Sequence, residues 1–146
     1  MRLVDLSIEV VEGPNTMHPR HSWLTYAPIA THATAAFESN CVEMFLHAGT
    51  HIDAPYHFDP DGARVHEVPL EQLVGPALVL DVSDAAPGEA IDAGRLADAM
   101  ERAIAAGGRY EPGMIALVRT DWSKRAAPPA REWWDDGPYL DTSAAK

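Results

Sequence analysis

Apolar and polar positions alternate at the start of the chain, Leu6, Ile8 and Val10 against Asp5, Ser7 and Glu9, which predicts a half-buried strand over 3–11. Glu12-Gly13-Pro14-Asn15 breaks that pattern. Residues 16–35 show no period and contain proline, so they read as an irregular loop. From Val42 the run Val-Glu-Met-Phe-Leu predicts a strand over 42–46 that ends at His47. Asp59-Pro60-Asp61-Gly62 is turn chemistry, and a short helix is expected over 71–74. Apolar runs at 77–82 and 114–118 predict two strands, the second of them buried. Between them, Leu96, Met100 and Ile104 recur on one face of a helix over 92–106, with Asp92 as N-cap and Gly107-Gly108 as stop. A strand, helix, strand unit of this kind implies an α/β fold.

The segment His47-Ala48-Gly49-Thr50-His51-Ile52-Asp53-Ala54-Pro55-Tyr56-His57-Phe58 interrupts these patterns with three imidazoles and a carboxylate. Imidazole nitrogen and carboxylate oxygen are ligands of divalent ions, and a catalytic metal usually takes three protein ligands and leaves one position open. The segment holds three such ligands and one spare base. Gly49, the β-branched Thr50 and Ile52, and Pro55 disfavour a helix here. An extended, turning path instead puts His51 and Asp53 on one side and Ile52 on the other, toward the core, while Gly49 lets the chain bring His47 round.

Composition narrows the functional classes. Lys plus Arg is 11 against 22 Asp plus Glu, a formal charge of −11 that excludes a phosphate-backbone partner, so no nucleic acid is expected. At 146 residues the chain reads as one domain, 1–146. Cys41 is the single cysteine, which rules out an intramolecular disulfide, and its neighbours Val42 and Met44 suggest a buried thiol. No apolar stretch is long enough for a membrane or a signal sequence, and a cytoplasmic location follows as the expectation.

The motif H-x-G-T-H-x-D-x-P-x-H resembles the signature of the cyclase-like metal-dependent hydrolases, the family of bacterial kynurenine formamidase and isatin hydrolase. The resemblance continues through Asp61-Gly62, Val68-Pro69-Leu70, Leu73-Val74-Gly75-Pro76 and Val79-Leu80-Asp81-Val82. It takes in Asp5-Leu6-Ser7 and Arg119-Thr120-Asp121-Trp122 as well. It implies a swivelling β/β/α fold, metal ligation by His47, His51 and Asp53, a divalent zinc or manganese ion, and His57 as general acid/base. It also implies a small aromatic amide as substrate, cleaved at a C–N bond, with residues 16–35 forming the loop that meets it. His18-Pro19 stands where relatives carry an aromatic before proline, so His18 is the substrate-binding candidate; His21, His32 and His66 read as solvent-exposed.

Family chains continue further, through another strand and a downstream His and Glu that complete a second metal site sharing the aspartate. No residue here matches those two, so the fold is expected to lack the C-terminal strand and helices. Asp141, Thr142 or Ser143 would cap a helix that only begins before Lys146. Adjacent Trp133 and Trp134, in an expected loop, are candidates for a surface covered by a second chain, which implies a homodimer. Two other readings stand beside the hydrolase: a catalytically weak metal-binding or partner-binding relative, and a metal-free general base built from His57 and a carboxylate.

Overall fold

The computed structural model describes residues 2–12, 24–127 and 130–145. Gly13-Pro14-Asn15, His18-Pro19, His21, Pro128-Pro129 and Lys146 therefore lie outside the described residues. The chain divides into two compact units, one of residues 1–52 with 127–134, the other of 53–126 with 135–146.

The second unit is built on its most apolar segment. Strand β3 (Ala77–Asp81) buries Leu78 and Leu80 and exposes the residues between them, the alternation expected of a sheet with one covered face. Strand β5 (Ile115–Arg119) pairs parallel to it in unbroken register, Ala77 with Ile115 through to Asp81 with Arg119. A parallel pair needs a crossover, and helix α1 (Ala93–Ala105) lies in it. The Asp92 carboxylate accepts from the Arg95 backbone N–H at 2.8 Å, satisfying one of the donors that every helix N-terminus leaves open. Leu96, Ala99, Met100 and Ala103 of α1 pack on Leu78, Leu80, Val82, Ala85 and Ile91. Ile104 does not join them and is 48% exposed, because the packed face runs 96, 99, 100, 103 and the next residue is turned about 100° away.

A two-residue parallel bridge joins β4 (Ala90–Ile91) to β6 (Tyr139–Leu140), and places Ile91, 1% exposed, against the core. The helix expected at 71–74 is instead a single 3-10 turn, Leu70–Gln72, preceded by another at Val65–Glu67. Asp141 accepts from the Ser143 and Ala144 backbone N–H groups at 2.7 and 3.0 Å, closing a turn over 142–145 where the start of a helix was expected.

In the first unit, β1 (Thr25–Ala30) and β2 (Ser39–Glu43) form an antiparallel pair whose register shifts between Pro28 and Ala30. The shift has a local cause: Pro28 has no N–H to give the ladder. Residues 25–30 of the expected 16–35 loop are thus a strand, and the strand expected at 42–46 starts and ends three residues earlier. Residues 3–11 form no strand among the described residues, and Leu3 and Leu6 stay 83% and 80% exposed; their alternation lacks a neighbouring strand to pair with. Cys41, opposite Ala27 in this ladder, is exposed rather than buried. Trp133 and Trp134 lie half-buried in a short helix, α2 (Arg131–Asp135), where a loop was expected. No helix among the described residues is long and apolar enough to cross a membrane.

Candidate metal centre

Past Glu43 the chain leaves β2 and turns. The Phe45 ring lies 5.2 Å from that of His47, and Ala48 is buried with Leu24. Gly49 adopts φ +63°, where an L side chain is strained, and a Cβ there would fall 2.5 Å from Val10 Cγ2. The following residue is tied down too, since the Ile8 N–H donates to Thr50 Oγ1 at 2.9 Å. Residues 3–11 therefore contribute their contact with this turn rather than a sheet edge.

The turn fixes the histidines. His51 Nδ1 stands 3.1 Å from the Gly49 carbonyl oxygen, which can only accept, so Nδ1 carries the proton and a neutral His51 presents Nε2 as a lone pair. That Nε2 is 3.1 Å from His47 Nδ1, with the rings edge-on at 5.1 Å. Asp53 completes the group: one ligand atom from each of His47, His51 and Asp53 lies within 4.8 Å of the others. His47 is half-buried, while His51 and Asp53 are exposed. The expected alternation across Ile52 is not realised, because it is 54% exposed and no ladder passes through this segment to create a covered face.

This donor set suits a divalent ion. Two nitrogens at zinc-ligand distance and tetrahedral angle stand about 3.3 Å apart, close to the separation of the two imidazole nitrogens, and a carboxylate oxygen supplies the third ligand. His57 stands outside the group of three. It ends a 3-10 turn, Pro55–His57, in which Pro55 opens the helix and the His57 N–H reaches the Ala54 carbonyl at 2.9 Å. Its ring lies edge-on to Phe58 at 4.3 Å. His32 and His66 are exposed, as expected, and His18 lies outside the described residues.

One polar cluster escaped the reading of residue spacing. At the carboxyl ends of β3 and β5, Arg119 bonds Asp81 at 3.0 Å and Asp121 at 2.9 and 2.7 Å, and Lys124 reaches Asp121 at 2.7 Å. Asp121 has φ +52°, alone among the described non-glycine residues in the left-handed region. Hydrogen bonds from Arg119 and then Lys124 hold its carboxyl far below the ordinary aspartate range, and hydrogen bonds from Ser83 lower Asp81. The only advance sign was Arg119-Thr120-Asp121-Trp122 within the family resemblance.

A family model, Cyclase, described as "Putative cyclase", matches residues 4–146. The chain belongs to the Cyclase family. Among its Cyclase relatives, the kynurenine formamidase of Bacillus cytotoxicus is 55% identical over 42 residues, 29% of this chain and 20% of that protein. The kynurenine formamidase of Bacillus mycoides is 54% identical over 41 residues, 28% of this chain and 20% of that protein. Each match thus spans about a fifth of the relative's length. The crystal structure of an isatin hydrolase bound to the product analogue thioisatinate superposes with a TM-score of 0.71 at 24% identity, over 95% of this chain and 60% of that one. The likeness gives this Cyclase chain the mixed α/β, cyclase-like fold.

Proposed function

We propose that this chain is a metal-dependent hydrolase that cleaves a C–N bond, amide or N-formyl, in a small aromatic substrate. The observation that carries the proposal is the convergence of His47, His51 and Asp53 within 4.8 Å, with His51 oriented by the Gly49 carbonyl. The Bacillus relatives are named for a formamidase activity and the structural neighbour for isatin hydrolysis, which supports an aromatic amide as substrate.

In this reading His47, His51 and Asp53 hold zinc or manganese, which supplies Lewis acidity toward a carbonyl and makes water a stronger acid. His57 is the general acid/base: it removes a proton from the attacking water and returns one to the leaving nitrogen, a task suited to imidazole near neutral pH. Its place at the end of a proline-opened turn, beside Phe58, restricts the paths its ring can take. His18 belongs to the substrate-binding loop, and the chain works in the cytoplasm as a homodimer with Trp133 and Trp134 in the interface.

The test combines elemental analysis with turnover of N-formylkynurenine and of isatin. Wild type is expected to carry metal and turn over one of the two. His51→Ala and Asp53→Ala should lose both metal and activity, whereas His57→Ala should keep its metal and lose roughly 10²- to 10⁴-fold in kcat. Undiminished hydrolysis by His57→Ala would remove its assigned role, and metal-free wild type would remove the hydrolase reading. Light scattering on the same sample decides the dimer, which a monodisperse monomer rules out.

A further inference from the structure

We infer that Gly62 is a positioning residue for His57: the absence of a Cβ at 62 lets the chain close tightly on the Pro55–His57 turn and set where the imidazole stands. The inference rests on the acid/base role proposed above.

After His57 the chain doubles back. Asp59 N–H donates to the Pro55 carbonyl at 3.0 Å, Gly62 N–H to the Asp59 carbonyl at 2.9 Å, and Tyr56 N–H to the Ala63 carbonyl at 3.1 Å. The Asp61 N–H also donates to Asp59 Oδ1 at 3.0 Å. The Arg64 guanidinium then lies over the Tyr56 ring, 4.7 Å from its centroid. These contacts bind residues 59–64 onto residues 55 and 56, the two that precede His57.

Gly62 sits at the tightest point of this strap. Its φ is outside the left-handed region, so conformational freedom is not what calls for glycine here; space is. A Cβ would stand 2.8 Å from the Pro55 carbonyl carbon, 2.9 Å from Pro55 Cβ and 3.0 Å from the Tyr56 nitrogen. All three belong to backbone or to a closed ring, which cannot swing aside as the end of a long side chain would. Reaching an ordinary contact of 3.4 Å requires the two segments to part by about 0.6 Å. The turn that ends in His57 would move with Pro55. Proton transfer is sensitive to displacements of that size, and a shift approaching 1 Å can cost about 10²-fold in rate.

The experiment compares Gly62→Ala with Gly75→Ala, which meets nothing within 4 Å and serves as the control. Asp59→Ala is the third variant; it removes the Asp61 bond and loosens the same strap without adding atoms. For each, circular dichroism reports folding and bound zinc per chain is measured. NMR follows the His57 and Phe58 ring protons, which shield one another. Turnover uses whichever of N-formylkynurenine or isatin wild type hydrolyses.

Gly62→Ala is expected to keep wild-type zinc and to shift the His57 and Phe58 ring signals. Its kcat and kcat/KM should fall together by about tenfold or more, as for a group that acts in the transition state. Asp59→Ala should move the same quantities less, and Gly75→Ala should move none. A folded Gly62→Ala with unchanged kcat and ring signals overturns the inference. Should Gly62→Ala not fold, Asp59→Ala decides alone, and unchanged kcat and ring signals in it overturn the inference. Undiminished turnover in His57→Ala would sink the acid/base reading instead, while the ring signals would still test whether Gly62 places His57.

Discussion

The two units differ most in what they bury. Around β3, α1 and β5, six residues (Leu78, Leu80, Val82, Ala85, Ile91 and Ala99) form a buried core, none more than 7% exposed. Around β1 and β2, only Leu24 and Ala48 are buried among the described residues, and Tyr26, Ile29 and Val42 are 49%, 70% and 50% exposed. One unit is held by packing. Among the described residues, the other is held largely by its ladder and by single anchoring contacts, such as Ile8 on Thr50. His47 and His51 belong to this second kind of structure, so their placement depends on local backbone geometry more than on a surrounding core.

The difference can be tested by matched truncations. Ile91→Ala, at 1% exposure, should destabilise by about 2–5 kcal/mol, because it removes buried surface and leaves a cavity. Val42→Ala in β2 should cost about 0.5 kcal/mol or less, the usual range for a surface position. Urea unfolding measures both, and equal losses would show that the sparse core carries more than its burial suggests.

Gly49→Ala should come next in size after Ile91→Ala. The left-handed φ alone disfavours an L residue by about 1–2 kcal/mol, and relief of that strain displaces the carbonyl that orients His51. Zinc affinity measured by competition with a chelator should fall by about tenfold or more, the usual consequence of disturbing a ligand's supporting hydrogen bond. Wild-type affinity would show that the metal ligands do not depend on this turn.

A smaller effect than that of Gly49→Ala belongs to the partly exposed ion cluster of the packed unit. Asp121 and Asp81 have carboxyl groups lowered in the folded chain from the ordinary 3.8, so each adds stability above that value and loses it as the pH falls through the lower, folded one. Acid unfolding of Asp121→Asn should accordingly show a shallower loss of stability below about pH 4 than wild type. An identical acid limb would mean that the network adds nothing to folding.

The same contrast explains what could be read from sequence. The places of strands β3 and β5 and helix α1 were legible because apolar density, the Asp92 cap and the period of the helix face agree with one another, although β5, expected to be buried, is only half-buried at Ile115 and Val118 and exposed elsewhere. The histidine segment was legible for another reason, the density of ligand-type side chains over a few residues. Where neither held, expectation failed. Thr25–Ala30 contains Pro28 and was read as loop, although a strand accommodates a proline where its register shifts. Residues 3–11 have strand-like alternation, but a strand also needs a partner, which local pattern does not reveal. The pairing of Ala90–Ile91 with Tyr139–Leu140 joins distant parts of the chain through two residues, too short for any periodic signal. Nor did spacing suggest that Asp61-Gly62, read as turn chemistry, would press its backbone against Pro55.

Among the described residues all three sheets are two-stranded, so every strand is an edge strand. In each, the ladder takes up only the amides and carbonyls that point toward the single neighbour, and the rest face outward. Seen by hydrogen exchange, the sheets would be striped, with slow amides interleaved with fast ones along a strand, whereas the middle of α1 would form one continuous slow block.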